Sequence, residues 1–295
     1  RSPEVLVGRF GITTPPMDLT ELPVRRGELP RLPERLEPGD RRGVLPEHCS
    51  ALVQRTLDAL AARGDEHVAL TPEWKSALAL RAGHEGQSSA RVDELLRFGC
   101  IRAVSMRVAE ALHALSQNCE LERRLRDRSV LQLELWELLT LVRRQGFDVS
   151  RLYAPAAGGS SSVLAGLVPP EQFRMYSVSS ITSEDPCGVT REIELLVAQL
   201  QYQGRGLDGR PEPRAGTASA FLGAAFGRRE PVTIAIERPS RFRLPRWPHT
   251  PIVLIAGGTG ISPFRAFLRE RERQPSAGPA LLLLGLRRAA EFTFH

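Results

Sequence analysis

Lysine is almost missing from this chain: Lys75 is the only one, so arginine supplies nearly all of the 40 basic residues among 295. No Gly-x-x-x-x-Gly-Lys run exists, which excludes a P-loop and leaves little scope for lysine Schiff-base chemistry. Cysteine is scarce as well. Cys49, Cys100, Cys119 and Cys187 lie far apart without a Cys-x-x-Cys pair, and the six histidines form no His-x-x-x-His pair. A sequence-local zinc site therefore has no support, and no metal is expected. Scattered thiols of this kind predict reduced, buried small side chains in a cytoplasmic setting. Long apolar runs are absent too: the longest, 252–256 and 280–284, fall far short of the roughly 20 residues of a membrane span. The chain opens at Arg1 with neither a methionine nor a signal-peptide pattern, as expected for a piece of something longer.

What is present is ordinary globular composition, 42% hydrophobic and 25% charged, enough for one large domain or two to three small ones. The net charge of +6 is mild, and the 34 acids are interleaved with the arginines. That pattern favours an acidic partner surface over a nucleic-acid stripe.

The first 46 residues are cut by Pro15, Pro16, Pro23, Pro30, Pro33, Pro38 and Pro46, so short strands and turns are expected there rather than helices. From 47 to 153 the apolar spacing becomes helical. Leu52, Leu57 and Leu60, then Val92, Leu95 and Leu96, then Val108, Leu112 and Leu115, then Leu131, Leu135, Leu138 and Leu139 predict four or so amphipathic helices. Polar breaks are expected at 82–89 and 123–128, and 155–166 reads as a Gly/Ser/Ala loop. Strand-like runs follow at 175–178, 193–197 and 232–236, with a charged hairpin loop at 204–215. The last 45 or so residues hold a β-branched run at 251–256, a glycine turn, a helix at about 262–273 and an apolar run at 280–286. These form one βαβ unit with the look of fully buried parallel strands.

Three motifs carry chemistry. Gly257-Gly258-Thr259-Gly260-Ile261-Ser262-Pro263-Phe264 lies between strand and helix; its glycines allow close backbone approach, and the helix start offers free N–H groups to an anion. A tight β-to-α turn without ligand is the plain alternative. Arg174-Met175-Tyr176-Ser177 enters a strand, with Arg174 and Tyr176 on one face and Met175 and Ser177 on the other. Such residues can clamp a phosphate, stack on a planar heterocycle and hydrogen-bond a ring nitrogen, although taken alone an exposed strand face explains them better. Gly216-Thr217-Ala218-Ser219 opens a short helix whose amides could hold a pyrophosphate, or is a simple Ser/Thr cap. Glu37-Pro38-Gly39-Asp40 is by itself a turn.

In their order along the chain, these motifs resemble the ferredoxin–NADP reductase-like module of the diflavin reductases, a family that includes cytochrome P450 reductase, the sulfite reductase flavoprotein and the nitric oxide synthase reductase region. The tracts Phe242-Arg243-Leu244-Pro245, 251–255 and Phe264-Arg265-Ala266-Phe267-Leu268-Arg269-Glu270-Arg271 are especially similar, as is Glu37–Asp40 followed by Gly43-Val44-Leu45-Pro46-Glu47. The resemblance covers roughly 36–295. It implies an α+β, multi-domain architecture: an antiparallel FAD-binding β-barrel from 1–46 and 171–245, a helical connecting domain at 47–170, and an incomplete start of an α/β NADP-binding domain at 246–295. The helical insert is what separates diflavin enzymes from plain ferredoxin reductases.

The implied activity is an NADPH-dependent, FAD-containing reductase, with hydride passing from NADPH to FAD and electrons then to an FMN domain or other acceptor outside this chain. Arg174 would bind the FAD pyrophosphate, Tyr176 would stack on the isoalloxazine ring with Met175 beside it, and Ser177 would sit near the flavin N5 as the catalytic residue. Leu196, Val197 and Ala198 would pass beneath the flavin, and Gly216, Thr217, Ala218 and Ser219 would hold its pyrophosphate. Gly258, Thr259 and Gly260 would contact the nicotinamide nucleotide, and Arg287 its phosphates. The first 36 residues lack the alternating apolar pattern of the family's opening strands, and the residues that select the 2′-phosphate are expected beyond His295. A degenerate, non-catalytic docking module of a larger protein is the competing reading.

Overall fold

The computed structural model describes residues 5–11, 36–81, 84, 86–154, 163–184, 190–228, 232 and 234–286. The chain divides into two units, one of Arg1–Leu45, Phe173–Leu200 and Ala218–His295, the other of Pro46–Gln172 and Gln201–Thr217.

In the first unit, β-branched and apolar runs pair into a five-stranded antiparallel sheet. Its strands are β1 (Val5–Gly11), β2 (Arg41–Val44), β5 (Arg174–Glu184), β6 (Thr190–Ala198) and β9 (Ile234–Glu237), in the order β1-β6-β5-β2-β9. Among the described residues no pairing joins β1 to β9, so the closed barrel expected from the sequence is not drawn. Period-2 alternation sends Val44, Val178, Ile193, Leu195 and Val197 into one core, which Leu36 and Leu222 complete.

The Glu37–Asp40 turn that leads into β2 is locked from both sides. Asp40 N donates to the Glu37 carbonyl at 3.0 Å, Glu37 N donates to Asp40 Oδ2 at 3.0 Å, and Arg243 Nη2 donates to Asp40 Oδ1 at 2.6 Å. Gly39 sits at φ +99°, and a Cβ there would lie 2.2 Å from the Phe242 carbonyl oxygen. Gly39→Ala is therefore expected to cost at least about 1–3 kcal/mol of stability, measured by chemical denaturation; an unchanged midpoint would show that the turn is not under this constraint.

The βαβ unit forms as expected: β10 (Ile252–Gly257) and β11 (Ala280–Gly285) run parallel, joined through helix α9 (Ser262–Glu272). The expectation of full burial fails. Register places Val253 beside Leu281 and Ile255 beside Leu283, and this face is open, with Val253 and Ile255 63% and 70% exposed. Leu254, on the other face, is buried. An apolar run reads the same whether one or both faces are covered.

The second unit is helical, with α1 (Ser50–Leu60), α2 (Pro72–Leu78), α3 (Val92–Phe98), α4 (Met106–Ser116), α5 (Cys119–Arg126), α6 (Leu135–Arg144) and α7 (Val163–Leu167). A short β3/β4 pair (His67–Ala69 with Ser89–Arg91) joins them. The leucine series marks α1, α3, α4 and α6, and apart from Leu115 and Leu131, which are exposed, its residues fill one core with Trp74, Val149 and Leu164. The break expected at 123–128 is instead mostly helix: α5 buries little beyond Leu121, and Glu120–Arg124 and Glu122–Arg126 pairs at i,i+4 support it. The segment 204–215 is not a bare loop. β7 (Gln201–Arg205) and β8 (Pro211–Ala215) form a hairpin of this unit, anchored by buried Arg214 on Glu137. The thiols also differ from expectation. Cys49 and Cys119 are exposed and Cys100 is half-buried, because Cys49 and Cys119 sit at the starts of α1 and α5, where the backbone meets solvent. Cys187 lies outside the described residues. No described helix is long and apolar enough to cross a membrane.

Candidate functional site

The site residues of the first unit are set by the β2/β5 ladder. Arg41 pairs with Ser177, Arg42 with Tyr176, Gly43 with Met175 and Val44 with Arg174. Gly43 lets the two strands carry bulk on that face: a Cβ there would lie 3.0 Å from Met175 Sδ and 3.1 Å from the Phe173 ring. Arg174 and Met175 are exposed at the strand entry. Tyr176 is half-buried and packs against the sheet core, and burial raises its phenol above the usual value, so the ring stays neutral.

Ser177 is half-buried, and its carbonyl accepts a hydrogen bond from Ser262 Oγ at 2.9 Å. That bond joins the strand to the first residue of α9, directly after the glycine turn. A second tie runs beside it. Arg265 of α9 donates to Ser179 Oγ at 3.3 Å and pairs with the buried Glu194 carboxylate of β6, with Arg269 3.7 Å from the same oxygen. Sequence reasoning missed Ser262, Arg265 and Glu194. The available signal was Glu194, a carboxylate inside the apolar run 193–197.

The turn itself is open. β10 ends at Gly257, Gly258 takes φ +51°, and Gly258–Ile261 makes one 3-10 turn before Pro263 enters the first turn of α9. A Cβ at Gly257, Gly258 or Gly260 would meet nothing within 4 Å. Thr259 is exposed among them. Backbone N–H groups at such a turn are free to face an anion.

The remaining expected residues fall into three groups. Leu196 and Val197 of β6 are buried, Val197 within the core, and Ala198 is half-buried. Helix α8 (Thr217–Arg228) starts where expected; Ala218 and Ser219 are buried, and Ser219 Oγ accepts from Leu200 N at 3.2 Å while its carbonyl accepts from Gln199 Nε2 at 2.9 Å. Gly216 and Thr217 belong to the helical unit. Arg287 lies outside the described residues. The structure thus brings Ser177, Ser262 and the glycine turn into one contiguous seam, with Arg174 and Tyr176 on the same strand.

The oxidoreductase NAD-binding domain family matches residues 254–295. The NADPH sulfite reductase flavoprotein alpha-component of Vibrio cholerae is 30% identical over 249 residues, which is 84% of this chain and 36% of that protein. The corresponding proteins of Yersinia enterocolitica (30% over 253 residues, 85% and 37%) and Zymomonas mobilis (29% over 252 residues, 84% and 36%) are similar to the same extent. The chain spans about a third of the length of these curated relatives. The similarity is to the flavoprotein of sulfite reductase over most of this chain and to an oxidoreductase NAD-binding domain at 254–295.

Proposed function

We propose that this chain is the hydride-accepting module of a diflavin-type reductase, taking hydride from NADPH onto FAD and passing electrons to an FMN domain or another redox acceptor with an acidic surface. The observation that carries the reading is the Ser262–Ser177 bond, which sets the start of the nucleotide turn's helix against the strand that carries Arg174 and Tyr176. In this reading residues 1–46 and 171–245, less the 201–217 stretch that belongs to the helical unit, make the FAD-binding barrel, 47–170 connect it to the partner domain, and 246–295 begin the NADP-binding domain. We place it in the cytoplasm, where dispersed thiols stay reduced.

The residues present fit the two cofactors. The exposed Arg174 guanidinium suits a diphosphate, the Tyr176 ring suits a planar heterocycle, and the unobstructed backbone at 257–260 suits a nucleotide phosphate at a helix start. When bound, NADPH and FAD supply the hydride donor and acceptor, and the protein supplies position and electrostatics. Arg174 and the α8 start, Gly216–Ser219, hold the flavin diphosphate. Tyr176 orients the ring, with Met175 and the β6 residues Leu196, Val197 and Ala198 bounding its site. Ser177 donates its hydroxyl proton in a hydrogen bond to the flavin N5. Gly258, Thr259 and Gly260 seat the nicotinamide nucleotide, and Arg287 reaches its phosphates.

Purified protein should be yellow and release FAD on denaturation; colourless protein that takes up no added FAD would overturn the reading. Ser177→Ala in the full-length parent should slow NADPH-dependent flavin reduction by up to about tenfold, the worth of one neutral hydrogen bond, while FAD content stays normal. Stopped-flow reduction at the parent rate would remove that role from Ser177.

A further inference from the structure

Helix α9 meets the flavin-side sheet along one stripe. Ser262, Arg265 and Arg269 follow one another at three- and four-residue steps, so they share the helix face that looks at β5 and β6. Ser262 holds the Ser177 carbonyl. One turn later, Arg265 Nη1 donates to Ser179 Oγ at 3.3 Å and to Glu194 Oε2, and Arg269 stands 3.7 Å from the same carboxylate oxygen. Both strands depart from regularity at this point. The β5/β6 ladder pairs Val178 with Leu195 and Ser180 with Glu194, so β5 carries one extra residue, Ser179. Such a bulge re-aims a side chain, and the buried Ser179 meets the guanidinium. Glu194 interrupts an apolar run in which Ile193, Leu195 and Val197 fill the sheet core, and alternation sends its buried carboxylate to the opposite face, toward α9.

A buried ion pair adds little net stability, because desolvation offsets most of the attraction. What this one supplies is placement: a guanidinium that must meet a carboxylate on β6 and a hydroxyl on β5 fits one position of the helix. We propose that Arg265 and Glu194 are positioning residues for hydride transfer. They fix α9, and with it the nucleotide turn Gly258–Ile261 that precedes it, at a set distance from the strand that carries Tyr176 and Ser177. The proposal rests on the hydride-accepting reading above. Reaction between two bound partners requires their atoms to approach to about 3–3.5 Å, and a misplacement of about 1 Å can cost about a hundredfold in rate. The pair therefore acts on the rate of flavin reduction rather than on the affinity for either cofactor.

The test compares the full-length parent with Arg265→Met, Arg265→Lys and the double variant Arg265→Met/Glu194→Leu. The double variant guards against misfolding, since replacing a whole buried ion pair by apolar side chains is often neutral or stabilising. Its Tm without cofactors should equal or exceed the parent's, and its FAD content and Kd for NADP+ should stay within about twofold. NADPH-dependent flavin reduction in the stopped flow should nonetheless fall about tenfold or more in both methionine variants. Arg265→Lys, which keeps a charge for Glu194, should recover part of that rate. In cofactor-free protein, amide exchange over 257–264 should be about tenfold or more faster in the double variant than in the parent. Parent-like reduction by the double variant overturns the positioning role, and so does unchanged exchange over 257–264. A rate loss matched by an equal loss of FAD or NADP+ affinity overturns it too, as the mark of a damaged binding site. A parent that NADPH does not reduce overturns the hydride reading and this role with it, whereas a normally reduced parent beside normally reduced variants overturns this role alone.

Discussion

Replacing Arg214 with methionine is expected to destabilise the helical unit by about 3–5 kcal/mol at neutral pH, the usual cost of leaving one half of a buried ion pair behind. The Arg214 and Glu137 side chains are 3% and 0% exposed, and Nη2 lies 2.5 Å from Glu137 Oε2. The same guanidinium donates to the Gln132 carbonyl, so it pins the β7/β8 hairpin to the start of α6. Gly204, the diagonal neighbour across the hairpin, makes the room: a Cβ there would lie 2.3 Å from Arg214 Nε. Glu137 serves α6 as well, because its Oε2 accepts from Glu134 N at 2.7 Å in the capping box. Without Arg214, a carboxylate whose Oε1 already lacks a partner would stand alone in a low-dielectric core.

The pH dependence follows from the same pair. Burial pushes the Glu137 carboxyl above its ordinary range, with Arg214 and the Glu134 amide pulling it back. Deleting the arginine removes one of those restraints, so the variant's folded-state value rises further. A carboxyl raised in the folded state favours folding below its unfolded value, and that contribution is lost as pH rises through the folded value. The penalty of Arg214→Met should therefore shrink as pH falls toward the ordinary carboxylate range, and Glu137→Gln added to it should restore part of the loss at pH 7. Urea denaturation at both pH values checks this; a penalty equal at both would mean that Glu137 is not the group left uncompensated.

What was legible in the sequence divides by how far a signal reaches along the chain. The leucine spacing marked α1, α3, α4 and α6 because each sends most of its apolar stripe into one core, with Leu115 of α4 left exposed. Helix α5 was hidden, since its order comes from Glu120 and Glu122 pairing with arginines and from the Asn118 cap, none of which shows as apolar periodicity. Helix α2 carried its own start signal, Thr71 before Pro72, but only Trp74 and Leu78 are buried over its two turns. At the site, the alternation of 174–177 and the strand–turn–helix of 252–272 are local and were readable. The seam from Ser262 and Arg265 to Ser177, Ser179 and Glu194 joins segments some 70–86 residues apart, and no local pattern announces such a pairing.

Arg174→Ala is expected to weaken FAD binding by about 1.5–3 kcal/mol, the range for a hydrogen bond to a charged group, which is roughly 10- to 150-fold in Kd. The position makes this loss separable from folding. Arg174 is exposed at the start of β5, opposite Val44 at the end of β2, and truncating an exposed side chain usually moves stability by no more than about 0.5 kcal/mol. Tyr176→Ala offers the contrast. Its ring is half-buried against the sheet core, so that variant should lose flavin and lower the Tm of the apo-protein together. Arg174→Lys should fall between parent and alanine, because it keeps the charge but not the two-pronged fork that suits a diphosphate. FAD fluorescence titrations beside apo-protein melts measure both quantities. Stoichiometric FAD retention in Arg174→Ala would take the clamp away from this residue and leave the start of α8 to hold the diphosphate.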